Sequence, residues 1–273
     1  MEALAVSTST IFGMMLSVLF AFGIPIVLLG VVKGTMNGQF RMGILGFVMY
    51  IAPAGLVIVV IRALLSGMTN GAVTQNPITY GLFMAVPSAV SCVVTKYLMI
   101  NSNYKLGNHF GHCFMYGIGF AFSQGVFRFG FREVSILMTA FSINNGTASE
   151  LLEVGEQNGI TTVMDSLNAV AQSTFADHFI PGTANLILMI IEVAMTGIIF
   201  LSVRYNKKTL WMSMLFVACG IEFGYYLLMN LAGSVATLFI IGILAVSMLG
   251  LNVALFKKYK EEDKASKNMG VIE

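Results

Sequence analysis

The chain has 273 residues, of which 57% are apolar and only 10% are charged, and its formal net charge at pH 7 is +2. A mean hydropathy of +0.83 excludes an ordinary soluble domain, and this charge balance gives no reason to expect a nucleic-acid partner. The three cysteines (Cys92, Cys113 and Cys219) lie in or beside apolar stretches and form no CxxC pair. They are predicted to be small buried side chains, with no disulfide or metal site.

Seven apolar stretches predict transmembrane helices, because about 20 residues at a rise of ~1.5 Å each cross a hydrocarbon core ~30 Å thick. They lie at about 11–32, 42–65, 78–100, 110–131, 183–203, 209–231 and 234–256. The first has no basic segment before it and no small-residue cleavage site after it, which predicts a retained helix and not a signal peptide. Pro25 is expected to kink this helix.

The remaining segments are shorter or polar. The apolar patch 134–141 is too short to span, so it is predicted to extend the fourth helix or to lie at the interface. The section 142–181 carries five acidic residues, and its apolar residues recur at helical spacing, which predicts an amphipathic surface helix. Those apolar residues are Leu151, Leu152, Val163, Leu167, Val170 and Phe175. We therefore predict one all-α transmembrane domain over 1–256, with 142–181 as an insertion, and a charged tail over 257–273.

The basic residues indicate the orientation. Apart from Arg62, Arg128 and Arg132, which lie within or at the edges of apolar spans, they fall in alternate connections and in the tail: Lys33, Arg41, Lys96, Lys105, Arg204, Lys207, Lys208 and five lysines from Lys257 to Lys267. The positive-inside rule then places the C-terminus in the cytoplasm and the N-terminus outside, which an odd number of spans satisfies. The predicted location is the cell membrane, with the lipid bilayer as a partner and the section 142–181 outside.

Polar side chains inside the spans are the candidate site residues. Glu192 and Glu222 each lie about nine residues from the outer end of their span, at a depth of ~13 Å by helical rise. Together, or beside Gln124 or Arg128, they are expected to form a polar cluster. Three interpretations stay open for it: a hydrogen-bonded latch between helices, a site for protons or cations, and a remnant or altered catalytic centre.

Histidines and glycines complete the polar and small-residue pattern. His109 and His112 form an HxxH pair near the predicted cytoplasmic side, but they lack a good third ligand, so solvated interfacial histidines are expected and no metal site or cofactor is predicted. His178, beside Asp177, is expected at the surface.

Small residues in and before the fourth span predict close helix approach. They are Gly107, Gly111, Gly117, Gly119, Gly125 and Gly130.

Several strings in this order resemble the YhfC family of bacterial membrane proteins. They are GMMLSVLFAFGIPIVLL, RMGILGFVMYI, NPITYGLFMAV, TKYLM and MYGIGFAFSQGV, and the resemblance extends to about Phe223. That family is classed with glutamic-type intramembrane proteases related to the CAAX-processing and bacteriocin-processing enzymes. The resemblance implies a membrane helix bundle with an intramembrane catalytic centre.

The catalytic pattern that the resemblance implies is not kept in this chain. Its double glutamate with an arginine falls on Pro87, Ser88 and Ser91, and its first histidine and following glutamate fall on Phe120 and Gln124. Its later histidines and acid fall on or near Glu192, Ala218 and Glu222. Since hydrolysis needs a base within reach of a water molecule, the resemblance predicts a catalytically degenerate member, or pseudoenzyme.

Three functions follow from these residues. The first is a non-catalytic binding or accessory component for a membrane-embedded peptide or another membrane protein. The second is an active intramembrane peptidase whose acids have moved to Glu192 and Glu222, supported by Gln124 or Arg128. The third is a small transporter, or a transporter subunit, coupled through the buried carboxylates; the lack of an obvious internal repeat counts against it.

Overall fold

Long helices follow the predicted apolar spans. The computed structural model describes residues 4–68, 76–149, 152–153, 162–231 and 234–268, and no strand occurs among them. The helices are α1 (Thr8–Met36), α2 (Phe40–Met68), α3 (Pro77–Ser102), α4 (Tyr104–Asn108), α5 (Phe110–Gly125), α6 (Phe131–Asn144), α7 (Val163–Gln172), α8 (Phe175–Arg204), α9 (Lys208–Leu231) and α10 (Ser234–Asn268). The predicted all-α membrane bundle is confirmed.

Five of these helices are long and apolar enough, within the described residues, to cross a membrane. They are α1, α2, α8, the part of α3 from Phe83 to Ser102 and the part of α10 from Val235 to Glu261. Helix α5 and its continuation cover the fourth predicted span, and α9 covers the sixth. The count of seven spans and the orientation stay predictions.

Three π-helical turns interrupt the long helices in the part of the chain that the structure describes. They are Leu19–Gly23 in α1, Tyr50–Gly55 in α2 and Val126–Gly130, which joins α5 to α6 in one continuous helix. Patch 134–141 is therefore an extension of the fourth helix. Pro53 lies inside the second π turn, where a proline is tolerated because the wider turn relieves the clash with the preceding turn of the helix. Pro25 lies two residues after the end of the first π turn.

Polar side chains set the starts of several helices. The Asn76 Oδ1 accepts hydrogen bonds from the backbone N–H groups of Ile78 at 3.0 Å and Thr79 at 3.2 Å, and Pro77 occupies the first helical position. The Asn103 side chain does the same for α4. These caps satisfy N–H groups that have no partner within the helix.

The described chain forms two compact units. The first contains Met1–Ile24 and Gly125–Leu186, and the second contains Pro25–Gln124 and Ile187–Glu273. In the first unit, α6 packs against the first part of α1 and against α7. Its small core consists of Val6, Met14, Ala140, Ile143 and Leu167, with Leu152, Val163 and Val170 packed against it. The predicted amphipathic helix is confirmed over α7, where Val163, Leu167 and Val170 face this core. Phe175 begins α8 instead, and Leu151 lies outside the described residues.

Helices approach closely within the second unit at glycines. A Cβ atom on Gly46 of α2 would overlap the carbonyl oxygen of Tyr116 in α5, and one on Gly119 would overlap the carbonyl oxygen of Gly43. A Cβ atom on Gly117 would lie only 3.0 Å from the Cβ atom of Thr196 in α8. The predicted close approach of this glycine-rich helix is confirmed, and it brings the faces of α2, α5 and α8 together without intervening side chains.

Candidate functional site

A buried ion pair lies in the core of the second unit. Lys96 of α3 is fully buried, and its Nζ donates a hydrogen bond to Oε2 of Glu192 in α8, a residue that is 8% exposed. The interpretation of Lys96 as a charge of a cytoplasmic connection is wrong, because its ammonium group is inside the bundle. A buried lysine is stable only when its charge is paired, and Glu192 provides the opposite charge.

The Lys96 ammonium also contacts an aromatic face. Its Nζ lies 4.6 Å from the centroid of the Phe120 ring. Phe120 is held edge-on against Tyr50, with 5.4 Å between ring centroids. The Thr196 hydroxyl donates a 2.8 Å hydrogen bond to the carbonyl oxygen of Glu192. The positive charge therefore rests between a carboxylate and a π face, which both favour a cation.

Phe120 and Glu192 are two positions at which the resemblance implies a histidine. In this chain both of them contact Lys96. A cationic side chain of the protein thus contacts Phe120 and Glu192, which lie at or near two positions where the resemblance implies histidine. The sequence contains a sign of this buried charge, since Lys96 lies within an otherwise uncharged apolar stretch. The positive-inside argument instead groups Lys96 with the basic residues of the connection that follows.

The other candidate residues lie on different elements. Glu222 is buried on α9, which packs along α3, and Gln124 is buried at the end of α5. Arg128 belongs to the π turn after α5 and to the first unit. The structure thus brings Glu192 to Lys96, which was not a predicted partner, and places Gln124 and Glu222 on two further helices of the same unit.

Helix α5 contributes several buried polar atoms. Four of them have no hydrogen-bond partner among the described residues: His112 Nδ1, Tyr116 OH, Ser123 Oγ and Gln124 Nε2. The expectation of a solvated His112 is wrong, since it is 8% exposed; His109 is exposed, and the two ring centroids are 4.9 Å apart. Buried polar groups usually find a partner, so this helix offers unused hydrogen-bonding capacity within the second unit.

The comparison with known families agrees with this architecture. The sequence matches the YhfC intramembrane metalloprotease family over residues 19–245. No curated protein and no solved structure matches the chain. Since the family match covers most of the chain, including every helix that contributes to the buried ion pair, the protein belongs to the YhfC intramembrane metalloprotease family.

Proposed function

We propose that this chain is a non-catalytic member of its family, which binds a membrane-embedded peptide or another membrane protein. The observation that carries the proposal is the buried pair of Lys96 and Glu192. A carboxylate oxygen that already accepts a hydrogen bond from an ammonium group is not free to accept the proton of a water molecule.

The family description implies a metal, and the residues present do not fit one. A catalytic metal is held by about three His, Asp, Glu or Cys side chains. In the described part of the chain no group of three such residues is placed to hold a metal ion. Lys96 also puts a fixed positive charge against Glu192, which would repel a divalent cation.

The positions that correspond to the double glutamate and arginine support the same proposal. Pro87 and Ser88 lie within α3, and the Ser91 hydroxyl donates a 3.2 Å hydrogen bond to the carbonyl oxygen of Ser88. None of these three side chains ionises near pH 7. They provide neither a general base nor a positive group for a developing oxyanion.

The unused polar atoms of α5 support a binding role. Tyr116, Ser123 and Gln124 supply hydrogen-bonding groups in an apolar surrounding. A peptide segment inside the membrane carries backbone and side-chain polar groups that also need partners there. Polar contacts between membrane helices contribute about 0.6–2 kcal/mol each, which is enough to select one apolar segment over another.

A peptidase and binding assay tests the proposal. The full chain in proteoliposomes, with Zn²⁺ added, is mixed with a fluorescent 20-residue apolar peptide that carries one central polar residue. We expect no cleavage by the wild-type chain, and a Kd about 3–30-fold weaker for Gln124→Leu, which corresponds to the loss of one such contact. Ser135→Ala, a change on the other unit, serves as the control and should leave the Kd unchanged.

Two outcomes would overturn the proposal. One is peptide cleavage that Glu192→Gln or Glu222→Gln abolishes while the protein stays folded, which would show relocated catalytic acids. The other is peptide affinity that is the same for the wild type and Gln124→Leu, or no measurable peptide binding at all.

A further inference from the structure

Three side chains of the first unit form a hydrogen-bonded row. His178 Nδ1 lies 3.0 Å from Oε2 of Glu133, and His178 Nε2 lies 3.0 Å from Oγ of Ser173. Glu133 is 3% exposed and His178 is 5% exposed, whereas Ser173 is only half-buried. The expectation of a surface histidine at 178 is wrong, and the reason is the carboxylate of Glu133 in α6.

This row has the order of groups that activates a serine hydroxyl. A carboxylate that accepts a hydrogen bond from Nδ1–H fixes the tautomer, so Nε2 faces the hydroxyl as the base. The Ser173 Oγ is also 2.7 Å from the carbonyl oxygen of Val170. Its proton therefore has two acceptors within reach, and rotation about the Cβ–Oγ bond turns it from Val170 to His178.

Helix α1 holds the backbone of both residues. The Thr10 hydroxyl donates a 3.0 Å hydrogen bond to the carbonyl oxygen of Ser173, and the Ser17 hydroxyl donates a 2.7 Å bond to that of His178. Asp177 accepts 2.8 Å hydrogen bonds from the backbone N–H and the hydroxyl of Thr174, which fixes the start of α8 two residues after Ser173. The beginning of a helix favours negative charge, as develops on the oxygen of a tetrahedral intermediate.

An aromatic row beside Ser173 indicates the substrate class. The ring of Phe175 stacks on Phe179 at 5.0 Å and on Phe12 at 6.5 Å between centroids, and Phe179 contacts Phe20 at 5.9 Å. Phe12 is 55% exposed. An exposed aromatic surface next to a nucleophile favours an apolar acyl group, since its burial is favourable.

We propose that Ser173 and His178 form a catalytic pair that cleaves apolar carboxylic esters, with Glu133 as a positioning residue. The Ser173 oxygen bonds to the ester carbonyl carbon, and its proton passes to His178 Nε2. The ester C–O bond breaks, and the leaving alcohol takes that proton, which leaves an acyl-serine. Water then attacks the acyl-serine and gives one proton to His178, which returns it to the Ser173 oxygen as the carboxylic acid departs.

Covalent labelling with a fluorophosphonate tests this proposal, because such probes phosphonylate activated serines. The full chain in detergent is labelled and the adduct is located by mass spectrometry. We expect an adduct on Ser173 of the wild type, no adduct there in Ser173→Ala, and labelling about 100-fold slower in His178→Gln. Ser166 is the matched control, since its hydroxyl also donates to a backbone carbonyl, that of Thr162 at 3.0 Å, without a histidine.

Further variants separate catalysis from a structural role. Glu133→Gln should slow labelling, and the conservative Glu133→Asp should restore part of the rate. Hydrolysis of p-nitrophenyl butyrate should be lost in Ser173→Ala and retained in Ser166→Ala. A folded wild-type chain without a Ser173 adduct, equal labelling of Ser166 and Ser173, or an undiminished rate in His178→Gln would overturn the proposal. Lys105→Met, a change at an exposed position of the second unit, should leave the labelling unchanged.

Discussion

Replacing Lys96 by methionine should lower the free energy of unfolding by about 3–5 kcal/mol, because the variant leaves the carboxylate of Glu192 buried without its counter-charge. Methionine matches the length of the lysine stem, so lost packing contributes little. The double variant Lys96→Met with Glu192→Leu removes both charges and should recover most of the loss, since apolar replacements of a buried ion pair are often neutral or stabilising.

Unfolding in one fixed detergent, followed by denaturant titration, measures these differences. Lys105→Met is the matched control, because Lys105 is exposed on α4, and surface changes stay within about 0.5 kcal/mol. If Lys96→Met is as stable as Lys105→Met, or if the double variant is no more stable than the single one, then the ion pair does not hold the core of the second unit.

Gly46→Ala should lower the free energy of unfolding by about 1–3 kcal/mol or more, since the added methyl group meets backbone atoms that cannot rotate away. The new Cβ would overlap the carbonyl oxygen of Tyr116 and would lie 2.8 Å from the backbone nitrogen of Phe120. Helix α2 must then move away from α5. Since Phe120 contacts Lys96, we expect the change to weaken the buried ion pair as well.

Gly67→Ala on the same helix is the control for Gly46→Ala. Among the described residues, a Cβ atom on Gly67 has no neighbour within 4 Å, so alanine there should stabilise the helix by up to about 0.5–1 kcal/mol through its higher helix propensity. Thermal unfolding of both variants in the same detergent measures the difference. Equal stability of the two variants would contradict the close contact between α2 and α5.

The fold follows from properties that are local in the sequence. Length and apolar content predict the long helices, helical spacing predicts α7, and the glycines of α5 predict its close contacts. The π turns have no comparable sequence signature, because a turn of a π-helix contains the same apolar residues as the α-helix around it. Patch 134–141 therefore allowed two predictions, and only the structure distinguished the helical extension from an interfacial segment.

The sites depend on contacts between distant residues, which periodicity does not reveal. The sequence predicts Glu192 as a buried carboxylate. Its partner Lys96 lies near the end of a predicted span, and this position alone groups it with the basic residues of the connections. Its burial depends on the face of the helix on which it lies. His178 was expected at the surface because Asp177 precedes it. Its burial depends on Glu133, which is 45 residues away in the chain.

The separation of Lys96 from Glu192 has a consequence for the biosynthesis of the protein. The two residues are 96 positions apart, so ribosomes working at about 5–20 residues per second complete α8 about 5–20 s after Lys96. During that interval the lysine of α3 lacks the carboxylate with which it pairs in the folded protein. We therefore expect α3 to reach its final packing only after α8 has been synthesised.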